Sequence, residues 1–273
     1  VGSFSLFDDS ATVSGPVASN MQASLSVSRF VHDGYVHNVH PGFPDAGAAD
    51  RTAVRGQLRW EPTSNIDDTL RADYLYTHEN FITTGVFILL PPPSGGVAAV
   101  TPLAASTFGH YHQVDLDNTP VATELSYGLS NELNWRFNDH WSLKSLTGYR
   151  SDTSIGVQDG DLTGITPNYN ISTTNEYTLS QEFNLLHNYG ALSGVVGLYY
   201  YYEYSHFHYY GANPPPGNGT LNLQDTLQPT VSRAAFIQET YHFTPTLSLT
   251  AGVRYTQDIK NFNDFNSSIY LLP

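Results

Sequence analysis

Cysteine is absent from the 273 residues, so neither a disulfide nor a thiolate can contribute to structure or chemistry. Charge is scarce: Asp, Glu, Lys and Arg make up 13% of the chain, against roughly 25% in an average domain. Cations are the scarcer sign, with 11 Lys plus Arg against 25 Asp plus Glu. The formal charge of −14 argues against a nucleic-acid partner, which needs a basic surface, and suits cationic ligands better. No run of about 18 apolar residues occurs, so no helix is expected to cross a membrane. No P-loop, G-x-S-x-G or G-x-G-x-x-G is present. No catalytic residue, cofactor or metal ligand is assigned, and the chain is read as a non-enzyme. There is no visible signal peptide and no initiating Met, so a processed chain or a fragment is expected.

Aromatic residues are plentiful, with 19 Tyr and 14 Phe. Many of them fall in segments that alternate with a period of two, the mark of a strand between two different environments. In 247–260 Leu247, Leu249, Ala251, Val253, Tyr255 and Ile259 share one parity, and Arg254, Asp258 and Lys260 the other. The same sorting recurs in 21–30, 52–61, 69–79, 123–137, 141–152, 175–185, 192–204 and, with the least certain faces, 231–243. With an opening strand near 3–13, the count is ten. Nine of the 11 cations lie on the polar parity; Arg29 lies on the apolar parity near a strand end, and Arg233 is on the uncertain strand.

Short links at 14–20, 61–65, 137–140, 187–190 and 243–246 alternate with long ones near 34–50, 82–121, 153–170 and 211–226. Antiparallel hairpins then carry every short turn at one end and every long loop at the other. A soluble sandwich shares the alternation but has no reason to sort its loops by end. A membrane barrel does both. Trp60, Trp135, Phe137, Trp141 and Phe243 crowd the short-turn ends, as an interfacial girdle would. The fold class expected is therefore all-β: an antiparallel transmembrane β-barrel, with the apolar parity on lipid and Arg254, Asp258 and Lys260 in a wet lumen.

The segments 13–38, 53–65, 143–152, 179–186 and 249–260 resemble, in order, successive barrel strands of TonB-dependent outer-membrane receptors. The flavour is that of the substrate-diverse branch common in sphingomonad-like bacteria. The resemblance implies a barrel of about 22 strands, a plug domain, and a segment contacting the TonB complex. Residues 1–273 then supply a partial barrel domain of about ten consecutive strands. The plug, the N-terminal region that meets TonB, and the remaining strands lie elsewhere in a longer protein. The partners implied are that plug, those strands, the TonB complex and outer-membrane lipid of a Gram-negative cell.

On this reading the chain is part of the wall of a receptor for energy-dependent uptake of a scarce ligand: an iron chelate, a vitamin-like cofactor or an oligosaccharide. Arg55, Arg59, Arg71, Asp73, Glu79 and Arg254 are expected to face the lumen or plug. Tyr199, Tyr201, His110, His112, Arg150 and Asp152 are the candidate ligand contacts. The run 199–204 points Tyr199, Tyr201 and Glu203 inward and Tyr200, Tyr202 and Tyr204 outward. The histidine patches 37–40, 110–112 and 206–208, with His78, lie at the outer end. An H-x-H pair in a strand puts both imidazoles on one face and can hold a metal, though polar loop tips are the plainer reading. Acid pairs at 115–117 and 159–161 lack a complete calcium loop. The rival readings are a self-contained ten-stranded protease barrel, using a pair such as His78 and Glu79, or a passive pore.

Overall fold

The computed structural model describes residues 2–81, 112–159, 164, 168–213 and 219–270. In chain order the strands are β1 (Phe7–Ala18), β2 (Met21–His32), β3 (His37–Asn38), β4 (Ala48–Thr63), β5 (Ile66–Asn80), β6 (Gln113–Val114) and β7 (Val121–Arg136). Then come β8 (Trp141–Asp159), β9 (Tyr169–Asn188), β10 (Leu192–Asn213), β11 (Thr220–Thr244), β12 (Leu247–Lys260) and β13 (Asn263–Tyr270). No helix occurs among the described residues. One antiparallel sheet runs in the order β1-β2-β4-β5-β7-β8-β9-β10-β11-β12, each strand beside its predecessor. These are the ten strands expected from the alternation.

Register explains why the alternation is so clean. One row across all ten strands reads Val13, Leu25, Gly56, Ala72, Leu129, Tyr149, Leu179, Tyr202, Val231, Ile259. The adjacent row reads Ser14, Ser24, Gln57, Arg71, Ser130, Gly148, Ser180, Tyr201, Ser232, Asp258. A step of one residue thus changes the solvent from lipid to water along the whole wall. The first row starts at Val13, near the Ala18 end of β1, and finishes at Ile259, far from the Leu247 start of β12. That climb away from the short turns is the stagger of tilted barrel strands.

The short-turn end carries the expected aromatic girdle. Trp135 and Phe137 meet at 4.6 Å between ring centroids, Tyr241 and Phe243 at 4.8 Å. The Trp141 indole N–H donates to the Tyr189 hydroxyl at 2.7 Å. A second, tyrosine girdle includes Tyr177 stacked on Tyr204 at 5.1 Å and Tyr127 beside Tyr149 at 6.4 Å. Arg233 falls on the outward face opposite Tyr200, where its long stem can carry the charge to the interface. Arg29 is also outward, near the outer end, and pairs with Asp50.

Several boundaries differ from expectation. β1 continues through Pro16 with a bulge between Pro16 and Ala18, leaving only residues 19 and 20 for a turn expected over 14–20. A proline fits there because β1 has a neighbour on one side only among the described residues. Strands β8 and β11 run well into the links expected at 153–170 and 211–226, and β9 and β10 reach their edges. The 25-residue β11 spans roughly 80 Å, where about 9–11 residues suffice to cross lipid. Beyond the lipid both faces of the sheet are wet, so the alternation that marks a strand disappears from the sequence. β13 was not expected as a strand at all. It keeps the register of β12 against β11, with Lys260 opposite Thr230 and Asn263 opposite Leu227. Between them the Pro229 carbonyl accepts the Asn261 N–H at 3.0 Å, but proline has no N–H to return, and the ladder opens for two residues.

At the outer end the link after β2 folds against the segment before β7. β3 and β6 pair in parallel, and Val36, Ala46, Val114 and Leu116 form a small buried core. The buried Asn38 amide substitutes for a peptide: it donates to the Leu116 carbonyl at 3.1 Å and accepts the Leu116 N–H at 3.0 Å. The Asn38 backbone N–H and the His37 imidazole hold the Asp45 carboxyl below its ordinary value.

Candidate functional site

The polar face of the sheet is the candidate site, because parity places most of the strands' charged groups there and register then joins them. Arg150 on β8 reaches across β7 to Asp73 on β5, with Nη2 at 2.9 Å from both carboxylate oxygens, while Nη1 donates to the Ser126 hydroxyl at 2.7 Å. Gly128 occupies the intervening position in that row. A Cβ at Gly128 would lie 2.9 Å from Arg150 Nη2 and 3.0 Å from Asp73 Oδ1, so the bridge depends on the missing side chain.

The other expected lumen residues are engaged in the same lattice. Arg59 binds Asp67 at 2.7 Å and Glu61 at 3.1 Å near the short turn. Glu132 takes Lys144 at 2.9 Å and Arg71 at 3.5 Å. Arg51 donates to Glu79 at 2.5 Å towards the outer end and lies 5.2 Å from the Phe30 ring centre. Arg55 stands apart. It faces Asp73 in register, yet Arg150 holds that carboxylate, and Arg55 makes no ion pair among the described residues. It borders a cleft of about 520 Å³ shared with Arg71, Asp73, Ser126, Ser130 and Arg150.

Further along the wall the lining changes from basic to acidic and aromatic. Asp152 faces Glu176 across β8 and β9. The Tyr201 hydroxyl donates to Glu203 at 2.6 Å. The Arg254 guanidinium lies 5.7 Å from the Tyr199 ring and 5.2 Å from that of Phe236. Phe236 in turn covers Gly197, where a Cβ would collide with the ring.

The six candidate ligand contacts therefore do not form one constellation. Arg150 and Asp152 share the lumen face of β8, and Tyr201 lies on β10, with β9 between. Tyr199 is committed to Arg254. His112 sits in the outer layer with an exposed side chain, and its carbonyl accepts the His37 N–H at 2.9 Å. His110 lies outside the described residues. Gly128, Glu132, Glu176 and Phe236 are not among the site residues expected from the sequence; Gly128 carries a signal as a glycine inside a strand, and Glu132 as a carboxylate, on the polar parity of 123–137. His78 and Glu79 point to opposite faces: His78 bonds Thr123 at 2.8 Å and Glu79 bonds Arg51. They cannot act together, which removes the pair proposed for a protease barrel.

The family model for the TonB dependent receptor-like beta-barrel matches residues 59–272. The chain belongs to the TonB-dependent receptor family. Solved receptor barrels share its fold at low identity. The ferric yersiniabactin uptake receptor FyuA from Yersinia pestis superposes with a TM-score of 0.64 at 14% identity, over 98% of this chain and 41% of that one. The P. aeruginosa receptor FpvA, solved with pyoverdines, gives 0.62 at 12% identity, over 99% and 39%. The ferric citrate transporter FecA gives 0.61 at 13% identity, over 99% and 40%. No curated protein matches the sequence. This TonB-dependent receptor chain thus spans about two-fifths of the length of the solved receptors it resembles.

Proposed function

We propose that the chain is a large part of the wall, residues 1–273, of an outer-membrane receptor that imports a scarce ligand with energy relayed from the inner membrane through TonB. The observation that carries this is the family match over 59–272, on a wall whose inner face is lined by charge. Two solved proteins of similar fold are, by name, a ferric yersiniabactin uptake receptor and a ferric citrate transporter, and a third, FpvA, was solved bound to a pyoverdine with iron. An iron chelate is accordingly the first ligand class proposed, ahead of a vitamin-like cofactor or an oligosaccharide.

In this reading the ion-paired lattice of Arg59, Arg71, Glu132, Lys144, Arg150, Asp73, Arg51 and Glu79 stiffens the wall and meets the plug. Arg55, uncommitted, offers its guanidinium to a plug carboxylate or an anionic ligand group. Asp152 and the Tyr199–Tyr201 wall line the upper path. Cells carrying the complete receptor should accumulate at least one member of a panel of labelled ferric chelates, corrinoids and oligosaccharides. Accumulation should collapse when the TonB complex is disabled. Uptake that continues undiminished without TonB would instead establish a passive pore.

A further inference from the structure

The HFH run supplies two imidazoles, and the fold adds the third donor that the sequence alone did not connect to it. His206 and His208 are two residues apart on β10 and so share a face, with ring centroids 3.8 Å apart. Asp225 of β11 lies directly opposite His208. His206 Nε2 is 3.0 Å from Asp225 Oδ1, and His208 Nδ1 is 2.8 Å from Asp225 Oδ2. The three donor atoms all lie within 4.8 Å of one another, the one place among the described residues where three His or carboxylate donors converge.

We propose that His206, His208 and Asp225 form a binding site for a divalent transition-metal ion of the zinc type on the outer wall of the β10–β11 hairpin. Ligands about 2.0–2.2 Å from a tetrahedral ion stand roughly 3.4 Å from each other, so the cluster needs only a slight opening to admit one. Two imidazoles and a carboxylate suit Zn²⁺, Cu²⁺ or Ni²⁺; Ca²⁺ and Mg²⁺ prefer all-oxygen sites. The remaining coordination position is open to water, since all three side chains are partly exposed, at 25%, 45% and 47% of their surface.

Position separates this site from the transport path. His206 and His208 share the outward parity of Tyr200, Tyr202 and Tyr204 and continue past that tyrosine girdle. Phe207 and Tyr209 take the lumen parity. The ion would therefore sit outside the barrel and above the lipid, where β10 and β11 project into water on both faces. There it would clip two long strands together at a point that no lipid supports.

The test is titration of the complete, detergent-solubilised receptor with Zn²⁺ alone, with Co²⁺ as a spectroscopic stand-in. Wild-type receptor should bind one ion that is weakened at least about tenfold in His208→Ala and in the near-isosteric Asp225→Asn. His78→Ala, an outward histidine bonded to Thr123 instead, should leave that ion unchanged. Affinity should fall as the pH is lowered, because an imidazole must shed its proton to ligate. Heat-modifiable migration on gels would report that each variant has inserted as a barrel. If wild-type receptor shows no saturable Zn²⁺ binding, or if both variants bind as wild type does, the proposal is wrong.

Discussion

Leu129→Arg should destabilise the membrane-inserted receptor by about 2 kcal/mol, because a cation facing lipid costs about 2–4 kcal/mol at mid-bilayer and less towards the tyrosine girdle, where its neighbour Tyr149 lies. Leu129 is half exposed, at 50%, in a row that is apolar or small from Val13 to Ile259. Ser180→Arg, on the adjacent polar row beside Tyr201 and Gly148, should cost little, because water and existing polar groups receive the charge. Reversible folding of the complete receptor into bilayers, followed by denaturant titration, measures both. The same charge gives two different outcomes because strand parity selects the solvent. Equal costs at the two sites would mean that the faces do not differ in the way described.

The second large effect is expected inside the lumen. Gly128→Val puts carbon where Arg150 passes on its way to Asp73. The guanidinium must then swing away and lose its two contacts with the carboxylate, and its bond to Ser126 is disturbed. Overpacking of this kind costs about 1–3 kcal/mol. If the cost arises at the bridge, it is not additive with Asp73→Ala: once the carboxylate is gone, valine at 128 displaces an arginine that has less to lose. A double-mutant cycle on unfolding free energy reads this directly. Full additivity would show that valine acts on the backbone and that Arg150 plays no part.

How far the sequence foretold this structure follows from which solvent each segment meets. Between the two aromatic girdles one face touches lipid and the other water, and there every strand could be read from residue types, from Val13 on β1 to Ile259 on β12. Past the outer girdle both faces are wet. Residues 211–213 and 220–226 therefore read as part of a link although they extend β10 and β11, and β13 is not marked at all. The β3–β6 pair was hidden for a different reason, since two residues pairing across a long separation leave no periodic mark.

The site shows the same division. Parity placed Arg55, Arg59, Arg71, Asp73, Glu79, Arg150 and Arg254 on the polar face. It could not say that Arg150 bridges to Asp73 across Gly128, because that depends on the registers of β5, β7 and β8, which are set by turns and loops between them. The HFH pair was visible at once. Its partner Asp225 was not, because it lies in a stretch that read as a link between strands.

Because cysteine is absent from this chain, a site-by-site accessibility scan needs no background removal within it. Single cysteines at Leu25, Leu129, Leu179 and Val253, and at Ser24, Ser130, Ser180 and Thr256, would be spin-labelled in the complete receptor in lipid bilayers. Collision with dissolved oxygen and with a water-soluble nickel complex is then compared at each site. Oxygen-rich, nickel-poor environments are expected for the first set, and nickel access for the second wherever the plug leaves room. If the leucine and valine sites collided freely with the nickel complex, the sheet would not be a barrel wall in lipid, and the receptor reading of these residues would be contradicted.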